Sequence, residues 1–346
     1  MSNLIAPAAA LPFPLAPRDG FASLCVVIPV YNEAPVLELT FARVSAALEE
    51  LDVSWSILFV SDGSTDGTVA ILASLAARDD RVTYLCLSRN FGHQAALAAG
   101  LDHVDADVVV MMDGDLQHPP KLLPVLVDAW RQGYDVVHTR KLSSDGLSLW
   151  RRVTTMLAYK AISRVAHVEI IPDASDYRLL DRTAHRALRA MPEQNPLYRG
   201  LSLWIGFRQA VVPFKAAARE GGGTSRYGLR QLIQLFARSF FDFSNAPLHV
   251  GVLLGAVTVG ACFAYVIFTT VAYLFGVSIP KGYVTLIFVI VLLSSINLTF
   301  SGILGVYLAR IYDEVRRRPS YVVGQSGAGA EPVAHAQLHG HASDDS

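Results

Sequence analysis

Two long runs without a single Asp, Glu, Lys or Arg, Leu248–Phe275 and Tyr283–Ala309, limit what this chain can become. Each is long enough to cross the roughly 30 Å hydrocarbon core of a bilayer, which takes about 20 helical residues. Between them, Gly276–Gly282 carries Pro280 and Gly282 as helix breakers and Lys281 as its only charge. A buried pair of core helices is the alternative reading, but two adjacent charge-free runs of this length favour the membrane. The pattern predicts a two-helix transmembrane hairpin over 247–309. Arg226, Arg230 and Arg238 precede it, and Arg310, Arg316, Arg317 and Arg318 follow it. Basic residues stay on the cytoplasmic side, so both the large N-terminal part and the C-terminus are expected in the cytoplasm.

Composition narrows the function classes. The formal net charge is −1, which gives nucleic acid no electrostatic foothold, so no nucleic-acid partner is expected. The three cysteines, Cys25, Cys86 and Cys262, have no metal or redox spacing; they read as buried, reduced thiols. Residues 1–20 are rich in Ala and Pro and lack the basic start and unbroken apolar core of a signal peptide, predicting a flexible lead-in. After the hairpin, 310–323 reads as a cytoplasmic basic segment and 324–346 as a disordered tail. In that tail His335, His339 and His341 are read as solvated rather than metal-binding.

The part before the membrane, 21–246, alternates strand and helix. Leu24–Val30, Trp55–Ser61, Val82–Leu87 and Asp107–Met112 are short runs rich in Val, Ile and Leu, with helical patterns over Glu33–Leu51, Asp66–Arg78 and His93–Asp102 between them. This rhythm predicts an α/β domain with a mainly parallel, doubly covered, Rossmann-like sheet. Ligands on such sheets bind beyond the carboxyl ends of the strands. Those ends hold Pro29-Val30-Tyr31-Asn32-Glu33, Ser61–Thr68, Ser88–His93 and Met112–Pro120, polar where the strands are apolar. Farther on, Leu147–Val165 and Tyr227–Phe243 read as amphipathic helices; the first mixes Arg151, Arg152, Lys160 and Arg164 with Trp150 and Tyr159, which suits a lipid–water interface.

No phosphate-cradling G-x-x-x-x-G-K loop is present, and no G-x-G-x-x-G follows the first strand. A pyrophosphate would need another source of positive charge. Asp113 and Asp115 offer one, because residues two apart in extended chain point to the same side and Mg²⁺ takes one or two carboxylates plus phosphate oxygens and water. A structural acidic-glycine turn is the competing explanation. Asp62 follows an apolar strand directly, where a carboxylate can accept from a base or ribose or close a turn; Asp66 or Thr65 can cap the next helix.

At these residues the chain resembles the family 2 glycosyltransferases of GT-A fold, in the branch that makes polyprenyl-phosphate sugars. That branch includes the dolichol-phosphate mannose synthases and the bactoprenol glucosyltransferases. The matching stretches are Val26–Glu33, Ser61–Thr68, Ser88–Leu97, Met112–Pro120, Asp173–Arg182 and Arg310–Pro319. The resemblance implies that Pro29, Tyr31, Glu33, Asp62, Asn90, Asp113 and Gly114 bind a nucleotide-sugar. It implies that Asp113 and Asp115, with Gln117 beside them, hold Mg²⁺ or Mn²⁺, and that Asp115 and Asp176 are catalytic, Asp176 as the candidate base. Arg140, Arg219, Ser225 and Arg226 fall to the acceptor phosphate, with Gly223-Thr224-Ser225-Arg226-Tyr227 carrying Arg where the family has Lys. The implied partners are a nucleotide-sugar donor, a polyprenyl (undecaprenyl) phosphate acceptor, the lipid bilayer and further copies of the chain in a homo-oligomer, a tetramer. The implied location is the cell inner membrane, multi-pass. A UDP-sugar is the expected donor and GDP-mannose the alternative. A processive polysaccharide synthase would want a Gln-x-x-Arg-Trp-like motif; Arg199–Trp204 has the wrong spacing. A non-catalytic membrane adaptor would have no use for Asp62, Asp113, Asp115 and Asp176 together.

Overall fold

The computed structural model describes residues 5–8, 13–20, 23–142, 171, 174–191, 193, 196–215, alternating stretches of 255–275, and 282–327. The chain divides into two compact units. The first comprises Met1–Tyr159, Val168–Ser225 and Arg318–Ser346; the second comprises Lys160–His167 and Arg226–Arg317.

Strands of the first unit form one sheet: β1 (Ala6–Pro7), β2 (Ser23–Val30), β3 (Ser54–Ser61), β4 (Val82–Leu87), β5 (Val108–Met111), β6 (Val136–Lys141), β7 (Ala174–Asp181), β8 (Gln209–Phe214) and β9 (Val323–Gly327). Their order is β1-β8-β6-β7-β5-β2-β3-β4-β9. Strands β5, β2, β3 and β4 pair in parallel, as do β6 and β8, while β7 runs antiparallel to both β5 and β6, and β1 and β9 are antiparallel edges. The sheet is thus mixed around a parallel core. Because β7 is reversed, its N-terminal end lies on the same rim as the C-terminal ends of β2, β3, β5 and β6.

Helices α1 (Ala34–Glu49), α2 (Thr68–Arg78) and α4 (Leu123–Arg131) cover one face; α3 (His93–Asp102), α5 (Arg182–Arg189) and α6 (Tyr198–Trp204) cover the other. The strands are apolar on both faces for this reason: Val26, Ile28 and Val30 of β2 join the first core while Cys25 and Val27 join the second. Each such aliphatic side chain, fully buried, contributes about 1.5–3 kcal/mol of transfer free energy. Cys25 and Cys86 are buried free thiols, and burial pushes the Cys25 thiol up to about 11; Cys262 lies outside the described residues.

The described parts of both ends depart from the sequence reading. In the lead-in, β1 pairs with β8, and Arg18 donates to Trp130 O (2.9 Å) and Tyr134 O (2.8 Å), forms an ion pair with Asp135 and lies over the Trp130 ring. A buried carboxylate draws the guanidinium in, which Ala/Pro composition does not reveal. At the other end, Val323–Gly327 pairs with β4 rather than being disordered from 324, and buried Tyr321 donates its hydroxyl to Asp102 Oδ2 at 2.9 Å. The free edge of β4 supplies unpaired backbone groups that this segment satisfies.

In the second unit, α7 runs from Tyr283 to Arg316 and ends at Arg317 in the left-handed conformation. Its 34 residues span about 51 Å at 1.5 Å per residue. Val289–Arg316 is the one helix among the described residues long and apolar enough to cross a membrane, by length and composition. The helix continues past Ala309 through the first of the basic residues. The earlier run is only partly described; its described residues between 255 and 274 are all helical. The two expected amphipathic helices lie outside the described residues.

Candidate active site

The polar loops at the rim are stitched to one another by their own side chains. Asn32, in the left-handed conformation, accepts from Thr65 N at 2.9 Å, and its own N–H donates to Ser64 Oγ at 3.1 Å. Asp66 accepts from Thr68 N (3.0 Å) at the start of α2 and from Ala34 N (3.3 Å) at the start of α1, so it serves both helix ends. Glu33 N–H donates to Thr68 Oγ1 at 3.1 Å. Asp62 is buried and accepts from Phe91 N (2.7 Å) and Gly92 N (2.9 Å), binding the loop after β3 to the loop after β4. Gly63, at φ +66°, passes so close to Arg89 and Asn90 that a Cβ would sit 2.3 Å from Arg89 C. Of the expected nucleotide-binding residues, Pro29 is buried at the end of β2, Tyr31 and Asn90 are exposed on the rim, and Glu33 is partly covered.

The acidic turn follows β5. The strand stops at Met111, and Gly114–Asp115 lie in a turn with Leu116 at φ +59°. The two carboxylates are therefore presented by a turn and not by extended chain as the sequence reading supposed. Gly114 makes this possible: a Cβ there would meet Val30 Cγ1 at 2.8 Å. Buried Thr40 of α1 places its hydroxyl 3.0 Å from Gly114 O. Gln117 N–H donates to Asp115 Oδ1 at 3.1 Å. Asp113 Oδ1 is buried with no hydrogen-bond partner among the described residues, its neighbour His93 Nε2 lying 3.3 Å away.

Asp176 comes to the same place from the N-terminal end of β7. His93 Nε2, at the start of α3, is 3.7 Å from Asp176 Oδ2. Arg199 of α6 grips Asp176 through Nε (3.1 Å) and Nη2 (2.9 Å), and fully buried Arg178 donates to Asp176 Oδ1 at 3.2 Å. Arg178 also donates to Ser175 O, Tyr198 O and Ser202 Oγ; burial lowers its pKa to about 10, which leaves it charged at neutral pH. Burial alone would push the Asp176 carboxyl up, but Arg199 and Arg178 outweigh it and hold the group below the usual carboxylate range. Asp176 is an ionised, weakly basic carboxylate.

His118 lies beneath the turn. Its Nδ1 accepts from Asp113 N at 3.0 Å, so Nε2 carries the hydrogen and donates to Ser175 Oγ. Burial lowers its pKa against the opposing pull of Asp113, Asp115 and Asp176, so the ring is neutral.

The rim thus brings together Asp113, Gly114, Asp115, Gln117 and Asp176. Arg140 is exposed near the C-terminal end of β6, in register with Ala174. Arg219, Ser225 and Arg226 lie outside the described residues. Sequence reasoning did not single out His93, His118, Ser175, Arg178 or Arg199 for the site. His93 and His118 close the Ser88–His93 and Asp113–His118 loops, where polar character was already visible. Arg199 begins the Arg199–Trp204 segment, whose spacing does not complete a Gln-x-x-Arg-Trp-like motif.

No group of three or more His, Cys, Asp or Glu among the described residues is set to hold a metal by protein atoms alone. The donor set fits a hard cation shared with a ligand: two carboxylates on one turn, one with a buried oxygen that accepts no hydrogen bond, match the one or two carboxylates that Mg²⁺ takes beside phosphate oxygens.

Residues 25–189 match glycosyl transferase family 2. The chain is 35% identical to the uncharacterized glycosyltransferase YkcC of Bacillus subtilis (strain 168), over 87% of this chain and 93% of that one. It is 31% identical to the prophage bactoprenol glucosyl transferase homolog of Escherichia coli (strain K12), over 87% and 98%. Among solved structures it is similar to the mannosyltransferase PcManGT of Pyrobaculum calidifontis in complex with GDP-Man and Mn²⁺, at 18% identity and TM-score 0.44, over 84% of this chain and 90% of that one. With 35% identity to a glycosyltransferase over 87% of the chain, and the family match over 25–189 covering most of the sheet and the rim described above, the protein belongs to glycosyl transferase family 2.

Proposed function

We propose that the protein transfers a sugar, with inversion, from a nucleotide-sugar to a polyprenyl phosphate at the cytoplasmic face of the membrane, with a UDP-sugar as donor. The acidic turn carries this reading: Asp113 Oδ1 is buried without a hydrogen bond at the ligand-binding rim, with His93 Nε2 3.3 Å away, beside an Asp176 already gripped by two arginines. The relatives named for bactoprenol supply the acceptor class. The apolar α7, long enough to cross a membrane, and the charge-free run before it support a membrane anchor for an enzyme whose acceptor is a lipid. Tyr31, Asn90 and the loop held by Asp62 would line the nucleotide pocket; Arg140, Arg219, Ser225 and Arg226 would receive the acceptor phosphate.

Asp113 and Asp115, with Gln117 beside them, would hold Mg²⁺ or Mn²⁺, which when bound neutralises the pyrophosphate that departs. The acceptor is a phosphate monoester whose second pKa is about 6, so it needs no base at neutral pH. One of its oxygens bonds to the anomeric carbon as the bond from that carbon to the nucleoside diphosphate breaks, turning an α-linked donor into a β-linked product. Asp176 keeps its charge throughout and orients the arginines around the reacting centre rather than taking a proton. Activity should therefore fall as pH drops below about 6, with the acceptor's second ionisation, and the depressed Asp176 should add no separate limb there.

Incubating membranes that contain the protein with labelled UDP- and GDP-sugars, extracting the lipid and identifying the product tests the reading. A labelled polyprenyl-phosphate sugar is expected from a UDP-sugar; label from GDP-mannose alone would replace the donor. No labelled lipid from any donor, with no nucleotide binding in the presence or absence of Mn²⁺, would leave a non-catalytic adaptor.

A further inference from the structure

We infer that His118 is a positioning residue, a strut that sets the acidic turn against β7 so that Asp113 and Asp115 are ready for a cation and its phosphate ligand. The inference rests on the proposed function, since it concerns the same turn. The imidazole spans two elements far apart in sequence. One nitrogen accepts the backbone N–H of Asp113 at 3.0 Å and the other donates to Ser175 Oγ, which also accepts from Tyr177 N at 3.3 Å. Ser175 adjoins Asp176 on β7, so one buried side chain ties the two carboxylate-bearing segments of the rim together.

The ring is itself fixed. It stacks on Tyr177 with centroids 5.1 Å apart and an interplanar angle of 23°, and meets Phe214 edge-on at 5.9 Å and 77°. A ring stacked on one aromatic neighbour, met edge-on by another and engaged at both nitrogens has one orientation available. The turn that it supports needs such help: Leu116 sits at φ +59°, a conformation disfavoured for a side chain of its kind, and Gly114 is pressed against Val30. A turn of this type relaxes unless its surroundings over-determine it. Core packing alone would account for the stacking but not for a hydrogen bond to the backbone of the carboxylate-bearing residue itself.

Supporting groups of this kind typically change metal affinity by roughly 10- to 100-fold when removed. The two ends of the ring can be separated by substitution. His118→Asn retains an acceptor near the Nδ1 position, and His118→Gln retains a donor near Nε2 while losing that acceptor. Mn²⁺ uptake in the presence of UDP, read by the electron paramagnetic resonance of free Mn²⁺, gives a measure independent of turnover; GDP is run in parallel. In purified full-length protein with folding checked by thermal unfolding, His118→Gln should weaken Mn²⁺ uptake by roughly tenfold or more, and His118→Asn should recover most of it. Ser175→Ala, a change of one hydroxyl, should weaken it less than His118→Gln and keeps the test alive should both His118 variants unfold. Equal Mn²⁺ uptake by wild type, His118→Gln and Ser175→Ala would overturn the strut while leaving the proposed function standing. Wild type that takes up no Mn²⁺ with either nucleotide would overturn both.

Discussion

Two acidic clusters sit in the first unit, and they are built on opposite principles. Around Asp135 every oxygen is engaged: Arg208 donates from its backbone N (3.1 Å), Nε (2.8 Å) and Nη2 (2.8 Å), and Arg18 pairs with it from the N-terminal lead-in. Neighbouring Asp181 accepts from Trp130 Nε1 at 2.8 Å and caps α5 through Thr183 N. At the rim, Asp113 keeps a buried oxygen with no hydrogen bond and Asp115 points from a glycine-dependent turn. The first cluster closes the fold; the second is left incomplete in the place where a parallel core presents its ligand-binding edge. A buried carboxylate is thus diagnosed by what its lone pairs meet, not by its burial.

That contrast can be broken by substitution. Asp135→Ala would leave Arg18 and Arg208 with only Asp181, 3.7 Å from Arg18 Nη2, as a counter-charge and should cost about 3 kcal/mol of stability, while turnover per folded molecule stays near wild type. Thermal unfolding in detergent alongside the lipid-transfer assay would show it, and an unshifted midpoint would make the cluster ornamental. Asp115→Ala should do the reverse, lowering turnover by about 10²–10³ with the midpoint little changed; near-wild-type turnover would remove the cation from the proposed site.

A third test probes the ground between the clusters, where His138 of β6 pairs in register with Arg178. His138 is buried against Gln209 Oε1 at 3.0 Å, and burial, aided by Arg178, lowers its pKa to about 3. The unfolded chain takes up this proton near pH 6.5 and the folded chain does not, so stability falls as pH drops from 6.5 toward 3. At pH 5 the loss should be about 2 kcal/mol, and His138→Gln should flatten that part of the pH–stability curve; an unchanged slope would assign the acid sensitivity elsewhere. The smallest effect is expected at the C-terminal strap: Tyr321→Phe removes the hydrogen bond to Asp102 and should cost about 1 kcal/mol, visible as a small shift of the unfolding midpoint.

Much of the catalytic half was readable from local pattern. The run Val82–Leu87 and the helix His93–Asp102 occur with the bounds expected of them, because apolar strands covered on both faces and helices with clear breakers announce themselves locally. The polar strand ends were legible for the same reason. The role of Asp62 was not: whether a strand-end carboxylate reaches outward or binds a neighbouring loop depends on Phe91 and Gly92, which arrive from another strand. Nor was the arginine grip on Asp176, since Arg199 lies 23 residues away and meets it only through α6.

Alternation of apolar and polar residues, the charge-free C-terminal runs and the two aspartates flanking Gly114 were properties of the sequence itself, because each depends on near neighbours in the chain. Tertiary structure decided the rest. Reversal of β7 carried Asp176 to the rim, the αL turn at Leu116 aimed the carboxylates, and the ends of the chain found partners at Asp135 and at the edge of β4. Those outcomes rest on which segments become neighbours in space, and hydrogen-bond saturation, the property that separates a strut from a site, exists only once they do.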